Sequence, residues 1–393
     1  MNFASDTGQF LFRHLVKTVV FMPVLLFSCT GKTAVIDKKP DLAVNPIVSY
    51  AKRLKIERLE GYSQLSVIDP WQGASDILQK WFLVPRGAVV PSSIDTSQVI
   101  EVPVRKIICM STTHLAMISA LNETRTIAGF SGTRFLYSGE LLKYVEDGNI
   151  LEIGYDDNLN KERILKLDPD LVMVYGIGSE SAGYIGKLKE LGIKIMYNAD
   201  YLETDPLGKA EWIKLMGALY SKEYMADSIF RIIEDEYNLI KSYVKAHTIN
   251  KPKVLLGLPF KDTWYISPGN SYISRLIEDA GGDYLWHSTI SSVSMPVGLE
   301  NVYIKSLSAD YWLNTGTVNT RDEILSIDQR LAGLPCFKKG NLFNNNKRTN
   351  ENGGNDYWER GSLNPQIILK DIATILHPGL FPDRELYYYK KVK

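Results

Sequence analysis

Short apolar runs that alternate with helical patterns are the feature that most constrains the fold of this chain. The strand-type runs lie at 106–110, 127–130, 171–175, 193–197, 253–258 and 311–314. The helical patterns lie at 115–121, 161–167, 185–191, 272–279 and 367–376. Because neighbouring parallel strands need a crossover between them, this order predicts doubly wound parallel sheets with helices on both faces.

A long helical stretch, from Pro206 to His247, separates the two alternating regions. Its apolar residues recur every three or four positions, with one expected interruption near Tyr220 and Ser221. A helix over 222–245 would be about 36 Å long, which is more than a helix covering one sheet needs. The stretch therefore predicts a strut that joins two α/β lobes.

A weak internal repeat supports two similar lobes. Leu167–Gly176 and Leu307–Gly316 share Leu, Asp and Gly at matching positions, 140 residues apart. Before the first lobe, short alternating patterns punctuated by Pro and Gly predict a β-rich N-terminal extension. The stretch 340–357 is rich in Asn and Gly and is predicted to be a loop.

These patterns divide the chain into six predicted segments. They are a signal peptide (1–28), a flexible tether (29–46), the β-rich extension (47–103), an N-terminal α/β lobe (104–207), a helical region that includes the spanning helix (208–250) and a C-terminal α/β lobe (251–393).

The N-terminus carries the features of a secretory signal. Positive residues precede an apolar run at 19–27, which is shorter than the roughly 20 residues that cross a bilayer. Leu26-Phe27-Ser28-Cys29 resembles the lipobox of bacterial lipoproteins, which implies that Cys29 becomes lipidated. An ordinary signal peptide with an incidental cysteine is the open alternative.

The charge balance and the metal-binding residue types exclude several functions. The chain has 45 Lys+Arg and 45 Asp+Glu, so it lacks the cationic excess of a nucleic-acid binder. Its three cysteines are too scattered for a zinc site, and its five histidines show no HxxxH or HExxH spacing. No metal centre is predicted, and pairing of Cys109 with Cys336 remains open.

Three stretches then carry a family resemblance. RKIICMSTTH at 105–114, NKERILKLDPDLV at 160–172 and LGIKI at 191–195 resemble the substrate-binding proteins of bacterial ABC importers for iron chelates and cobalamin. The resemblance covers about 104–381. It implies two lobes on one long helix, with the ligand held between them and no enzyme activity.

The resemblance also implies the partners and the location. The ligand would be a metal chelate, either a ferric siderophore or cobalamin, with haem less favoured. The chain would deliver it to an ABC permease in the cytoplasmic membrane. We therefore expect an exported monomer without a resident cofactor, anchored by lipid and facing the periplasm or the cell exterior.

The family further implies one acidic residue on each lobe that pairs with permease arginines. Glu162 and Glu300 match these positions, and carboxylate–arginine pairs orient partners well. The alternative for both is a solvated carboxylate favoured by the helix dipole.

Ligand contacts are expected beyond the carboxyl ends of the strands. The candidates are Ser111, Thr112, His114, Arg134, Tyr155, Tyr175, Phe260, Trp264, Trp358 and Arg360. The last two lie in NDYWERG at 355–361, which resembles a run in cobalamin-binding members of the family. Aromatic rings suit a large, partly apolar chelate, and arginines suit its acidic groups. Core packing remains the alternative for the aromatics, and a histidine satisfied by backbone is the alternative for His114.

Two other functions remain as alternatives. One is a surface or sensor module that uses the same fold without a transporter. The other is an exported hydrolase, which would need a nucleophile–base pair or a metal cluster that the sequence does not display.

Overall fold

The structure is a computed structural model that describes residues 48–155, 158–176 and 180–393. The predicted signal peptide, the tether and Cys29 lie outside the described residues.

The N-terminal extension forms a four-stranded sheet. Its strands are β1 (Leu54–Leu59), β2 (Tyr62–Ile68), β3 (Leu78–Pro85) and β4 (Val99–Val102), in that spatial order. The first three strands are antiparallel, and β4 runs parallel to β3. Leu65, Val67, Trp81 and Leu83 are buried in the same core as the first lobe, so one face of the sheet packs on that lobe.

The N-terminal lobe is built on a parallel sheet, as predicted, and the sheet has one strand more than the four that the sequence indicates. Its strands are β5 (Ile107–Cys109), β6 (Ile127–Phe130), β7 (Leu151–Glu152), β8 (Leu171–Val174) and β9 (Ile195–Tyr197). They lie in the order β7-β6-β5-β8-β9. The helices are α1 (Thr112–Ala120), α2 (Gly139–Glu146), α3 (Lys161–Leu167) and α4 (Glu180–Glu190). Every residue of β8 is buried, as expected for a strand covered on both faces.

Three helices connect the lobes: α5 (Pro206–Glu211), α6 (Ile213–Tyr220) and α7 (Glu223–His247). The predicted interruption is confirmed, because Ser221 adopts a left-handed conformation with φ +53° and ends α6. Phe230, Ile233, Tyr237 and Val244 form the buried stripe of α7. This helix contacts α6 on one side and C-terminal-lobe helices on the other, which confirms a strut.

The C-terminal lobe repeats the parallel sheet with additions. Its strands are β10 (Lys253–Leu256), β11 (Pro259–Phe260), β12 (Thr263–Ile266), β13 (Asp283–Tyr284), β14 (Met295–Gly298), β15 (Tyr311–Leu313), β16 (Leu342–Asn344) and β17 (Lys390–Lys391). Its helices are α8 (Tyr272–Asp279), α9 (Leu299–Ser306), α10 (Arg321–Ile327), α11 (Pro335–Lys338), α12 (Asp356–Glu359) and α13 (Pro365–Leu376). The main sheet has the order β13-β10-β15-β16-β17, in which only β17 is antiparallel, and β11-β12-β14 form a separate antiparallel sheet.

The prediction of a loop over 340–357 is wrong in part, because it contains β16 and the start of α12. Leu342 is fully buried and pairs with Trp312. Asn344 is buried as well, and its amide donates to the carbonyls of Gly316 and Val318, both at 2.9 Å. An amide satisfied in this way can end a buried strand despite its loop-forming preference.

The described ranges contain no helix long and apolar enough to cross a bilayer. Cys109 and Cys336 are both buried free thiols, so the structure does not pair them. Burial raises the pKa of the Cys336 thiol to about 11.

Candidate ligand-binding cleft

A cleft of about 1410 Å³ lies where the lobes face each other. Segments that follow strands form much of its lining: 201–204 after β9, Gly257 after β10, parts of 314–319 after β15, and 345–347 after β16. Ligands of parallel α/β sheets bind at these strand ends. The volume exceeds that of an ordinary small-molecule pocket, so it suits a bulky ligand.

A smaller chamber of about 250 Å³ adjoins the cleft at the strand ends of the N-terminal lobe. It is lined by residues that follow β5, β6, β7 and β8. Gly353, Asn355 and Trp358 line both cavities. The C-terminal-lobe segment 353–358 therefore stands between the chamber and the main cleft.

Five of the predicted contacts meet at these cavities. Ser111, Thr112, Tyr155 and Tyr175 line the chamber, and Trp358 lines both cavities. Ser111 also caps α1, because its side-chain oxygen accepts the Thr113 N–H. The Trp358 ring meets Tyr357 edge-on at 4.8 Å and remains 61% exposed. An exposed aromatic ring at a cavity wall is available to a ligand.

The structure places two of the predicted ligand contacts, His114 and Trp264, away from the cavities. Both side chains are fully buried and line neither cavity. Burial lowers the pKa of His114 to about 3, and its ring nitrogens have no hydrogen-bond partner among the described residues. The alternative, that backbone groups satisfy the hydrogen-bonding needs of the His114 ring, is therefore wrong as well. Trp264 donates from Nε1 to the Leu256 carbonyl at 2.9 Å and packs on Trp312, so it belongs to the lobe core.

Arg134, Phe260 and Arg360 also line neither cavity. Arg134 lies 4.6 Å above the ring of Phe135, which lines the chamber. Phe260 is exposed on the small antiparallel sheet. Arg360 is held by the buried Asp356, which accepts its Nε at 2.5 Å and its Nη2 at 2.7 Å. These hydrogen bonds raise the pKa of the Arg360 guanidinium, and its charge serves the lobe rather than the cleft.

The amide-rich wall of the C-terminal lobe was missed by sequence reasoning. Its residues are Asn270, Asn314, Asn319, Asn345, Asn346 and Asn355. The Asn-rich stretch around 344–355 carries the signal, but asparagine is equally typical of loops, so its composition alone predicts a loop. Amide side chains can both donate and accept hydrogen bonds, so this wall suits a polar ligand surface.

Few charges face the main cleft. Among its described lining residues the charged ones are Arg53, Lys347, Lys390 and Glu203. Glu203 is buried and accepts the N–H groups of Lys52 at 3.1 Å and Arg53 at 2.9 Å. Burial raises the pKa of Glu203. The lining thus carries more positive than negative groups although the whole chain is balanced.

Hydrogen bonds join the two lobes beside the cleft. The Glu359 carboxylate accepts the N–H groups of Tyr137 at 2.7 Å and Ser138 at 3.1 Å. Asn350 donates to the Leu136 carbonyl at 2.8 Å. Burial raises the pKa of Glu359, which is 1% exposed. These bonds fasten the C-terminal-lobe segment 350–359 to the loop at 136–138.

Glu162 and Glu300 occupy equivalent places on the two lobes. Each lies exposed in the first turn of a helix, α3 or α9, that leads into the strand beside the first strand of its lobe. Glu300 lies 3.9 Å from Arg330, and its side chain is 84% exposed. The two carboxylates are thus presented in similar ways by matching parts of the fold.

The described residues contain no group of three His, Cys, Asp or Glu side chains arranged to hold a metal ion. The donors around the cavities are mainly amides, hydroxyls and phenols. They suit hydrogen bonding to an organic ligand better than direct coordination of a bare transition metal.

Residues 107–349 match the family model described as periplasmic binding protein. Two uncharacterized lipoproteins of Methanocaldococcus jannaschii are each 28% identical, over 375 and 374 residues. These alignments cover 88% and 91% of this chain, and 86% and 89% of the relatives.

Solved structures share the fold. A possible iron-binding periplasmic solute-binding protein from Staphylococcus epidermidis has a TM-score of 0.54 at 19% identity, covering 70% of this chain and 99% of its own. A periplasmic heme binding protein from Pseudomonas aeruginosa has a TM-score of 0.54 at 15% identity, covering 74% and 98%. An ABC-type Fe3+-hydroxamate transport protein from Saccharomonospora viridis has a TM-score of 0.52 at 15% identity, covering 70% and 94%.

Proposed function

The chain belongs to the periplasmic binding protein family, and from this premise we propose that it is the extracytoplasmic substrate-binding lipoprotein of an ABC importer. Its ligand is a metal chelate, a ferric siderophore or cobalamin ahead of haem. The observation that carries the proposal is the cleft of about 1410 Å³ at the strand ends of two parallel-sheet lobes. The chelate is transported cargo, and the protein acts as a monomer without a resident cofactor.

The lining supports a chelate as the ligand. The chamber offers the rings of Phe135, Tyr155 and Tyr175, which can cover an apolar ligand face. The opposite wall offers amides, and Lys390 adds positive charge, whereas the Lys347 ammonium is paired with Glu385 at 2.6 Å. An organic chelate with both apolar and polar surfaces would use both walls.

Equilibrium titration of the purified full chain tests the ligand class. Haemin, cyanocobalamin, a ferric hydroxamate and a ferric catecholate are titrated by calorimetry. We expect one of them to bind at a single site with a Kd below about 10 μM, in the range of ordinary specific recognition. The metal-chelate assignment fails if none of the four reaches that affinity.

Permease docking through Glu162 and Glu300 is the second part of the proposal. Both carboxylates are exposed and can meet arginines of a partner, and the Glu300 carboxylate already lies 3.9 Å from Arg330 of its own chain. In cells where the variant replaces the native chain, Glu162→Ala together with Glu300→Ala should abolish chelate uptake. Ligand affinity should remain unchanged, and Glu140→Ala, at an exposed carboxylate on α2, is the matched control. Unchanged uptake in the double variant would favour a module that works without a transporter.

Lipid anchoring at Cys29 is the third part. The Methanocaldococcus jannaschii relatives are named lipoproteins, and LFSC at 26–29 resembles a lipobox. The anchored chain would face the periplasm or the cell exterior, with 1–28 removed and 29–46 as tether. Cys29→Ser should move the protein from the membrane fraction to the soluble exported fraction. Retention of the variant in membranes would count against the anchor.

A further inference from the structure

The loop between β2 and β3 reaches from the N-terminal extension into the cleft. Its ends are tied together, because the Asp69 N–H donates to the Ile77 carbonyl at 2.8 Å and the Asp69 carboxylate accepts the Ile77 N–H at 3.1 Å. A turn over 71–74 forms the tip, closed by the Ala74 N–H on the Trp71 carbonyl and using Gly73 at φ +84°. The loop is therefore a defined projection of the sheet.

The tip is docked on the strand ends of the N-terminal lobe. The Gln72 N–H lies 3.2 Å from the Gly176 carbonyl and 3.2 Å from the Tyr201 hydroxyl, which itself donates to Gly176. The Trp71 ring packs on Tyr197 with centroids 5.1 Å apart. Gly176 has no side chain, and a Cβ there would collide with Trp71. The loop thus covers the ends of β8 and β9, where a ligand would otherwise rest.

The base of the projection is also fixed. Arg53 donates from Nη1 to the Asp69 carbonyl at 2.7 Å, and its own N–H is held by the buried Glu203. Arg53 and 71–74 all line the main cleft. Because the family match begins at residue 107, this wall is not supplied by the part of the chain that the family shares.

We propose that the β2–β3 loop is a third wall of the ligand site, whose tip residues Trp71, Gln72 and Ala74 contact the chelate and restrict its size. This rests on the proposed function, since it needs a ligand in the cleft. The wall narrows the cleft on the side of the N-terminal lobe. It therefore directs the bound chelate toward the amide-rich wall of the C-terminal lobe. Arg53 acts as a positioning residue that holds the loop.

The test adds a large side chain to two loops of the N-terminal sheet, one inside the cleft and one outside it. Ala74→Trp adds an indole at the tip, and Val89→Trp adds one in the exposed loop after β3, which lines neither cavity. Calorimetry with haemin, cyanocobalamin, a ferric hydroxamate and a ferric catecholate identifies the tightest wild-type ligand. Ala74→Trp should weaken that ligand by about tenfold or more through steric exclusion, and Val89→Trp should stay within about twofold.

Thermal melting shows whether Ala74→Trp folds. If it melts well below wild type, Gln72→Ala decides instead, with an expected loss of about threefold or more as a ligand contact is removed. Affinity within about twofold of wild type in the deciding variant overturns the third wall and leaves the proposed function intact. Failure of wild type to bind any of the four probes overturns both.

Discussion

The two lobes share a frame, which here means the parallel sheet with the helices that lead into its strands. In each, a helix leads through an aspartate into the strand that pairs with the lobe's first strand: α3, Asp170 and β8 in one, α9, Asp310 and β15 in the other. Asp170 Oδ2 accepts the Lys106 N–H at 3.0 Å, and Asp310 Oδ2 accepts the Lys253 N–H at 2.9 Å. The repeat seen in the sequence is thus a repeat of hydrogen bonding.

The cleft faces of the lobes differ. The N-terminal lobe presents aromatic rings at its strand ends and is covered in part by the β2–β3 loop. The C-terminal lobe presents asparagines, serines and two lysines together with the exposed rings of Tyr265 and Trp358. The comparison teaches that the frame is duplicated while the recognition surface is not. The proposed ligand would therefore meet a small chamber of rings and hydroxyls on one side and a larger wall of amides, hydroxyls and rings on the other.

The largest expected effect concerns how the ends of the described chain are fastened to the frame. Buried Glu211 on α5 accepts the N–H groups of Ser49, Tyr50 and Ala51, at 2.7–2.9 Å. Buried Asp371 on α13 accepts those of Tyr387, Tyr388 and Tyr389. Each carboxylate therefore satisfies a whole segment of backbone near one end.

Replacing either carboxylate by alanine should reduce the free energy of unfolding by about 3 kcal/mol, because three N–H groups lose a charged acceptor. Urea unfolding of Glu211→Ala and Asp371→Ala measures this, with Glu140→Ala as an exposed control. A loss under about 1 kcal/mol in one variant would show that the two ends are fastened unequally.

The next largest effect is a loss of ligand affinity when the segment that separates the chamber from the cleft is changed. Trp358 is an aromatic ring that the C-terminal lobe contributes to the chamber of the other lobe, which also contains the rings of Phe135, Tyr155 and Tyr175. Trp358→Ala should weaken binding of the tightest chelate by about tenfold through loss of ring contact. Phe260→Ala removes another exposed ring of that lobe, away from both cavities, and should leave calorimetric affinity unchanged. Equal losses in both variants would refute this placement.

A smaller effect distinguishes the matching aspartates. Burial opposes ionisation of Asp170, but hydrogen bonds from Arg86 and from the N–H groups of Arg105 and Lys106 prevail and lower its pKa. The carboxylate therefore stabilises the fold at neutral pH, and that contribution is lost as pH falls below 3.8, the ordinary value, and through the folded-state pKa.

Asp170→Asn should accordingly lower stability at pH 7 by about 1 kcal/mol and flatten the acid side of a melting-temperature profile. Asp310→Asn removes an acceptor that pairs with no arginine in the described part of the chain, and it should change stability less. A steeper acid loss in Asp170→Asn than in wild type would contradict the assigned sign.

The smallest effect on folding is expected at the two carboxylates proposed to dock on the permease. Glu162→Ala and Glu300→Ala should each change the free energy of unfolding by less than about 0.5 kcal/mol, since both side chains are exposed. Urea unfolding measures both variants side by side. A clear loss in only one would mean that this carboxylate serves its own lobe, and the equivalence of the two positions would fail.

The frame could be predicted because its signals are local. Leu171–Val174 reads as a fully apolar run, and all four residues are buried. The helix break at Ser221 likewise follows from the loss of apolar periodicity. The strand at Leu342–Asn344 was missed because its last residue is an asparagine, whose burial depends on carbonyls about thirty residues away.

The site was only partly predictable because a residue type does not reveal its exposure. Trp264 and Trp358 are both tryptophans of the C-terminal lobe, yet one is fully buried and the other 61% exposed. The sequence predicts that Arg360 contacts a ligand, but in the structure its guanidinium donates hydrogen bonds to the buried Asp356. The third wall formed by 71–74 depends on docking to Gly176, about a hundred residues later in the chain.

Hydrogen–deuterium exchange of the full chain, with and without its tightest chelate, tests most directly whether one ligand lies between both lobes. The account predicts slower exchange on both walls together: at 110–113 and 201–204 on one side, and at 314–319 and 345–349 on the other. The exposed face of α7 should not change. Protection confined to one lobe, or found only outside the cleft, would contradict the account.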